Sequence, residues 1–332
     1  MRLGYFILEA DRHFGARAPD GFLDLDIACR DYFATNPVKG ADPSRFRDLK
    51  TFLAGGADSV KLANTIQEYI DRRRKGGWTP RAATGARFLF RPEEGVRYLT
   101  PILPGAKIFC LASNSYSHAK EQGKAPPKRP YVFARFTNCL VGHEQPFLLN
   151  PAGSQPDVEL ELGVVIGATT RNVPKEKALD HVAGFTVVHD LGYRDLQYPD
   201  GPGTTPDWMM GKGFDSTLSV GPMIVARDEV PDPKGLQMTL KVNGQVRQEG
   251  TTSDYVFGVE EVIAHLSRGV TLEAGDLISM GSLGGTPGFE FGKPERILKP
   301  GDVVEGTLER IDTLRNPVKG EAPAPVAPAA TP

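Results

Sequence analysis

The stretch Val158-Glu-Leu-Glu-Leu-Gly-Val-Val-Ile166 decides how this chain is read. It is strand-like except for Glu159 and Glu161. Residues i and i+2 of a strand share one face, so the two glutamates point the same way, side by side. Carboxylates at that distance repel, and burying them unpaired is costly. A second strand-like run, Phe185-Thr-Val-Val-His-Asp190, closes on another acid. A divalent cation would neutralise all three. Oxygen-only ligation suits hard ions, chiefly Mg²⁺ or Mn²⁺, with Ca²⁺ admissible. A solvated strand edge with outward glutamates fits the same pattern, although Leu160, Leu162, Val164, Val165 and Ile166 weigh against it.

Working outward, strand-like segments occur at 107–112, 131–136, 158–167, 184–190, 223–226, 236–242, 277–281 and 302–310. Short helical patterns separate some of them, at 174–182 and 259–268. Pro174 suits a first helical turn, and Val262, Ile263 and Leu266 give the other its buried face. Two near-copies of one turn, Leu272-Glu-Ala-Gly-Asp276 and Leu298-Lys-Pro-Gly-Asp302, each precede a strand. Many strands, few helices and 37 glycines predict a β-rich sandwich or barrel-like roll.

Residues 1–95 read as a small separate α+β unit, with a strand over Arg2–Leu8 and a helix over Ser59–Lys75. Asp58 or Ser59 caps that helix, Val60, Ala63, Ile66, Tyr69 and Ile70 form its apolar stripe, and Gly76-Gly77 ends it. Residues 96–316 carry the strands, and the Pro/Ala-rich segment 317–332 reads as a disordered tail.

Composition bounds the rest. The chain has 332 residues, 40% of them hydrophobic, and a net charge of −2, which gives no electrostatic case for nucleic acid or a membrane surface. No apolar run reaches the ~20 residues of a membrane-spanning helix. The N-terminus is too short in apolar residues for a signal peptide. The three cysteines, Cys29, Cys110 and Cys139, lack metal-site spacing and read as free thiols in a reducing cytoplasm. The remaining histidines, His13, His143, His181 and His265, show no pairing pattern.

Three further segments carry chemistry. In Asn114-Ser-Tyr-Ser-His-Ala-Lys-Glu121, one helical turn puts His118 and Glu121 on one face. A carboxylate beside an imidazole makes a workable general base, although the spacing fits a surface pair equally well. The segment 122–130 is basic and Gly/Pro-containing, as in a mobile lid over an acidic substrate or an ordinary surface loop. In Asp190-Leu-Gly-Tyr-Arg-Asp-Leu-Gln197, Arg194 suits a carboxylate clamp with Gln197 as a hydrogen-bond donor, or it pairs with Asp195. In Gly211-Lys-Gly213, Lys212 suits enolate stabilisation, or it pairs with Asp215.

Taken in order, these segments resemble the fumarylacetoacetate hydrolase superfamily. The resemblance is carried by Pro104-Gly-Ala-Lys-Ile-Phe-Cys110, Asn114, His118-x-x-Glu121 and Asp157-Val-Glu-Leu-Glu-Leu-Gly163. Asp190-x-x-x-Arg-Asp-x-Gln197, Gly211-Lys-x-Phe-Asp215, Val220-Gly-Pro222 and Leu298-Lys-Pro-Gly-Asp302 extend it. It covers roughly 104–316, and 1–95 resembles the N-terminal domain many members carry. The resemblance implies a β-rich α+β fold, a mixed β-sandwich roll, working as a homodimer. It implies Glu159, Glu161 and Asp190 as ligands of Mg²⁺ or Mn²⁺, and His118 with Glu121 as a water-activating dyad. Arg194, Gln197 and Lys212 become substrate and enolate contacts, with the hydroxyl of Ser282 kept for the substrate. The chain departs from the pattern at Ser115, Arg135, His189 and in the loop Gly281-Ser-Leu-Gly-Gly285, where Leu283 replaces a proline.

The activity so implied is metal-dependent hydrolysis of a carbon–carbon bond in acylpyruvate- or fumarylpyruvate-like 1,3-diketo acids, through an enolate held on the metal. That chemistry belongs to aromatic compound catabolism. Decarboxylation of a 2-oxo acid, or isomerisation or hydration of a dienoate, would use the same residues. A non-catalytic binding protein would have a broken triad or dyad, and both are intact.

Overall fold

In the computed structural model the run around Val158 forms a strand, Pro156–Ile166, buried at every residue. The described residues are 1–321 apart from 9, 20, 38–41, 76–86, 92–93, 202–203 and 286–296. The strand pairs antiparallel along its length with Val182–Tyr193, which pairs in turn with Leu218–Ala226. Its two faces enter different cores. Val158, Leu160, Leu162 and Val164 pack with Leu240, Val304 and Leu314 of a second sheet. Val165, and Val188 of the adjoining strand, pack with Leu3, Phe52 and Ile66. Cover on both faces explains the near-continuous apolar run.

These strands are the middle of a 12-stranded mixed sheet. Leu277–Ser279, Ile108–Ala112 and the edge strand Tyr131–Arg135 extend it on one side. The second sheet has five strands: Gln245–Thr251, Gln237–Val242, Val303–Leu308, Asp312–Gly320 and Phe147–Leu149. The result is the expected β-rich mixed roll. Both repeated turns are built as their sequence implies. Gly275 and Gly301 have positive φ, and Asp276 and Asp302 accept from the amides of Glu273 and Lys299 at 2.8 Å.

The sheet does not break at residue 95. Arg2–Leu8 pairs with Leu218–Ala226, Arg2 opposite Val225 and Leu3 opposite Ile224. Residues 1–95 therefore share a sheet and a core with the rest, while their helices Leu25–Thr35, Leu49–Ala54 and Gly56–Lys75 cover one face. The last helix begins at Gly56, so Asp58 lies in its first turn instead of capping it. The expected stop at Gly76-Gly77 lies outside the described residues. The 174–182 pattern is a 3-10 helix, Lys175–His181, and the 259–268 pattern is the α-helix Val259–Ser267.

At the far end the tail starts later than its composition suggests. Asp312–Gly320 is one strand with Val318 buried, because pairing with Val303–Leu308 and Phe147–Leu149 outweighs the Pro-rich context. Positions 322–332 of the expected tail lie outside the described residues. All three cysteines are buried and unbridged. His13, which shows no pairing pattern in the sequence, lies 2.6 Å from Asp24. Among the described residues no helix is long and apolar enough to cross a membrane.

Candidate metal centre

The register of the central strands assembles the acids. Glu159 and Asp190 face each other across the antiparallel pair, and Glu161 follows two residues on, on the same face. All three are buried, and one ligand oxygen from each lies within 4.8 Å of the others. His189 points the opposite way, into the layer between the sheets, where its Nδ1 bonds Asn316 at 2.9 Å.

Cations surround two of the acids. Lys212 Nζ donates to Glu159 Oε2 at 2.6 Å and lies 3.1 Å from Asp190 Oδ1. Arg194 donates to Asp157 from Nε and Nη2, at 2.9 and 2.7 Å, with Nη2 also 2.9 Å from Glu159 Oε1. Arg135 donates to Asp190 and to the Thr217 hydroxyl. Glu161 instead accepts from the Ser279 hydroxyl and from Gly281 N at 3.0 Å. Among the described residues no lysine or arginine pairs with it.

The electrostatics follow. Burial, with the charges of Asp190 and Glu159 added, pushes the Glu161 carboxyl up to about 8. Burial also acts on Glu159, but Arg194 and Lys212 prevail and hold it well below the usual carboxylate range. Lys212 stays above its ordinary value despite burial, through Asp190 and Glu159. Four buried carboxylates, Asp157 included, thus meet three buried cations. One hard divalent ion fits both the all-oxygen donor set and the charge deficit.

Lys212 is delivered by a short helix, Trp208–Lys212, whose N-terminus is capped by the Asp207 side chain, accepting from Met210 N at 2.9 Å. Trp208 stacks on Phe133 of the edge strand at 4.3 Å. The lysine stem crosses Gly192 closely, and a Cβ there would sit 2.7 Å from Lys212 Cδ. Glycine is required for that approach.

A helix over Tyr116–Glu121 brings the base. Ser115 caps it and donates to Ser282 O at 2.8 Å, so the residue that departs from the family pattern has a structural task. Asp254 accepts from Ser117 N at 3.0 Å, and Asn114 bonds the backbone of Phe257 and Met280. His118 is buried, with Nδ1 3.6 Å from Glu121 Oε2. Glu121 is itself held by Gly285 N at 2.6 Å.

The expected metal ligands Glu159, Glu161 and Asp190, with His118, Arg194, Gln197, Lys212 and Ser282, line one cavity, and Glu121 stands behind His118. Two pairings differ from the simple alternatives. Asp195 takes the amides of Ser154 and Gln155, leaving Arg194 to Asp157 and Glu159; Asp215 takes Asn138, leaving Lys212 to the acids. Gln197 accepts from Arg194 at 2.9 Å, so its oxygen is used as an acceptor. The Ser282 hydroxyl accepts from Gln248 at 2.8 Å, while Leu283 is buried in the main core. Sequence reasoning gave no role to Asp157, Ser279 or Asp254, and noted Arg135 only as a departure from the family pattern. Asp157 was within reach, since it precedes Glu159 by two and shares its face.

Comparison with known proteins agrees with this architecture. Residues 107–319 match the family described as Fumarylacetoacetate (FAA) hydrolase C-terminal. The chain is 35% identical over 275 residues to human mitochondrial oxaloacetate tautomerase FAHD2A, covering 81% of this chain and 86% of that one. The fumarylacetoacetate hydrolase of Exiguobacterium antarcticum superposes with a TM-score of 0.71 at 27% identity, over 97% of this chain and 100% of that one. The fumarylpyruvate hydrolase of Pseudomonas aeruginosa, solved with Mn²⁺ and pyruvate, superposes with a TM-score of 0.58 at 26% identity, over 67% of this chain and 91% of that one. The chain belongs to the fumarylacetoacetate hydrolase superfamily, a group that includes hydrolases, isomerases and tautomerases.

Proposed function

We propose that this protein is a Mg²⁺- or Mn²⁺-dependent enzyme that interconverts the keto and enol forms of a 2-oxo acid of the oxaloacetate type. The observation that carries the reading is the convergence of three carboxylates, the Lys212 ammonium and the His118 imidazole on one buried cavity. The similarity to an oxaloacetate tautomerase over most of both chains supports the choice of reaction. A divalent ion held by Glu159, Glu161 and Asp190 would supply Lewis acidity to the adjacent carboxylate and keto oxygens of the substrate.

The remaining work falls to the chain. His118 removes a proton from the carbon next to the keto group, and the electron pair moves onto the keto oxygen. Lys212, already oriented by Glu159 and Asp190, donates to that oxygen as its charge grows. The imidazolium returns the proton to oxygen, giving the enol, and the reverse sequence regenerates the ketone. Glu121 steadies the charged ring.

The His118–Glu121 pair favours one second reading, hydrolysis of acylpyruvates. His118 would take a proton from water, whose oxygen bonds the acyl carbonyl carbon. The carbon–carbon bond then breaks, and its electrons leave on the departing enolate, which is protonated on carbon. The test follows enol absorbance of oxaloacetate and the products of acylpyruvates, with and without Mn²⁺. Loss of enol signal beyond the uncatalysed rate supports the tautomerase. Two acids from an acylpyruvate, with no effect on the enol, would replace it by the hydrolase, and CO₂ would indicate a decarboxylase.

A further inference from the structure

We propose that Gln248 is a positioning residue that makes the Ser282 hydroxyl a hydrogen-bond donor toward the metal pocket, fitting that wall to an ionised carboxylate of the substrate. The inference rests on the 2-oxo acid reading above. Ser282 lines the pocket, and Gln248 stands behind it.

Gln248 comes from the second sheet. Along the pair of strands Gln237–Val242 and Gln245–Thr251 the register shifts between Leu240 and Lys241. Gln248 lies opposite Leu240 and Val246 opposite Lys241, so Arg247 is the extra residue. A bulge of this kind re-aims the side chains beside it. The buried Gln248 side chain reaches the strand of the metal ligands, where its Oε1 accepts from Leu160 N at 2.8 Å. The strand Leu277–Ser279 pairs only with Gly163–Val165, and beyond it Gln248 supplies the acceptor for Leu160, between Glu159 and Glu161. The loop that carries Ser282 is pressed against the same place. Gly285 has φ 92, and a Cβ there would sit 2.7 Å from Arg247 O.

The bond to Leu160 N fixes which way the amide points. With Oε1 committed to an N–H, Nε2 donates to Ser282 Oγ at 2.8 Å and to Leu283 O at 2.9 Å. Ser282 Oγ is therefore an acceptor toward Gln248, and the hydroxyl has one proton left to give. It lies 3.2 Å from Leu283 O, a carbonyl that already takes the shorter bond from Gln248. An ionised carboxylate in the pocket is the stronger acceptor for that proton. The arrangement supplies a donor without adding charge, in a pocket where Lys212 and Arg194 are committed to the acids.

The test is calorimetric affinity for oxaloacetate of the Mg²⁺-loaded full chain, in a His118→Ala background that stops turnover. Gln248→Glu keeps the shape of the side chain and the acceptor for Leu160 N. At pH 9.5 its carboxylate takes the Ser282 proton for itself, and affinity should fall at least about tenfold. At pH 6 the buried carboxyl is protonated and donates as the amide does, so affinity should return to within about threefold of the Gln248 protein. Ser282→Ala should also cost about tenfold, and adding Gln248→Glu to it should cost less than about twofold more at pH 9.5. Undiminished affinity of Gln248→Glu at pH 9.5, an equal loss at both pH values, or full additivity of the two substitutions overturns the assignment and leaves the 2-oxo acid reading standing. Ser282→Ala alone decides if Gln248→Glu does not fold, since unchanged affinity there overturns it too. Failure of oxaloacetate to bind with both residues intact overturns both readings.

Discussion

Loading the centre with Mn²⁺ should expel a proton, and Glu161 sets how much. Burial and the nearby Asp190 and Glu159 charges push its carboxyl up to about 8 from an ordinary 4.5. At pH 7 such a group is about nine-tenths protonated, and the ion requires the ionised form. Binding should therefore release about 0.9 proton at pH 7, about half a proton at pH 8 and almost none at pH 9. Below pH 8 the apparent affinity should weaken about tenfold for each pH unit. Titration calorimetry of the metal-free chain in phosphate and in Tris counts the protons, because the two buffers differ in ionisation enthalpy. The same shift acts on stability. A carboxyl raised by folding contributes fully below about 4.5, and the contribution fades as pH rises through about 8. Metal-free protein should thus lose melting temperature between pH 5 and 8 through this group, and Glu161→Gln should remove that slope. Zero proton release at pH 7, or an affinity flat from pH 6 to 8, would refute the reasoning.

His118→Ala should lower kcat by about 10²–10⁴-fold and leave Mn²⁺ affinity unchanged, as read by steady-state kinetics and calorimetry; near-normal turnover removes the base from the mechanism. Lys212→Met leaves Glu159 and Asp190 short of a buried cation and should cost the metal-free fold about 3–5 kcal/mol in urea titrations, with Mn²⁺ recovering part of it. Asp254→Ala frees the amide and hydroxyl of Ser117, so the helix over 116–121 should lose about 1 kcal/mol and its amides should exchange about fivefold faster. Unchanged exchange there would mean that the loops over 280–285 brace the helix alone.

Much of the centre was legible because strand period and helix period are local. Glu159 and Glu161 had to share a face, and His118 and Glu121 had to share a helical turn. The partner of Asp190 was another matter: nothing local says that Asp190 lies opposite Glu159 and not a residue away. The contacts of Arg135 and Asp254 were illegible for a related reason, since each acts across long loops, on Asp190 and Ser117 respectively. Long-range pairing also joined Arg2–Leu8 to the central sheet and carried the last strand through Pro317, where composition alone suggested boundaries. Arg194 shows the limit of motif reasoning. Its spacing announced a clamp, yet in this structure its first obligations are Asp157 and Glu159.

The direct opposition of Glu159 and Asp190 has a consequence for how this molecule can vary. Sliding one of the two strands by a single position would turn its acids into the apolar layer occupied by Leu160 and Leu162, and would send leucines to the ion. An inserted or deleted residue in either strand thus cannot merely detune the reaction. It dismantles core and chemistry together, whereas length changes in the connecting loops escape that coupling.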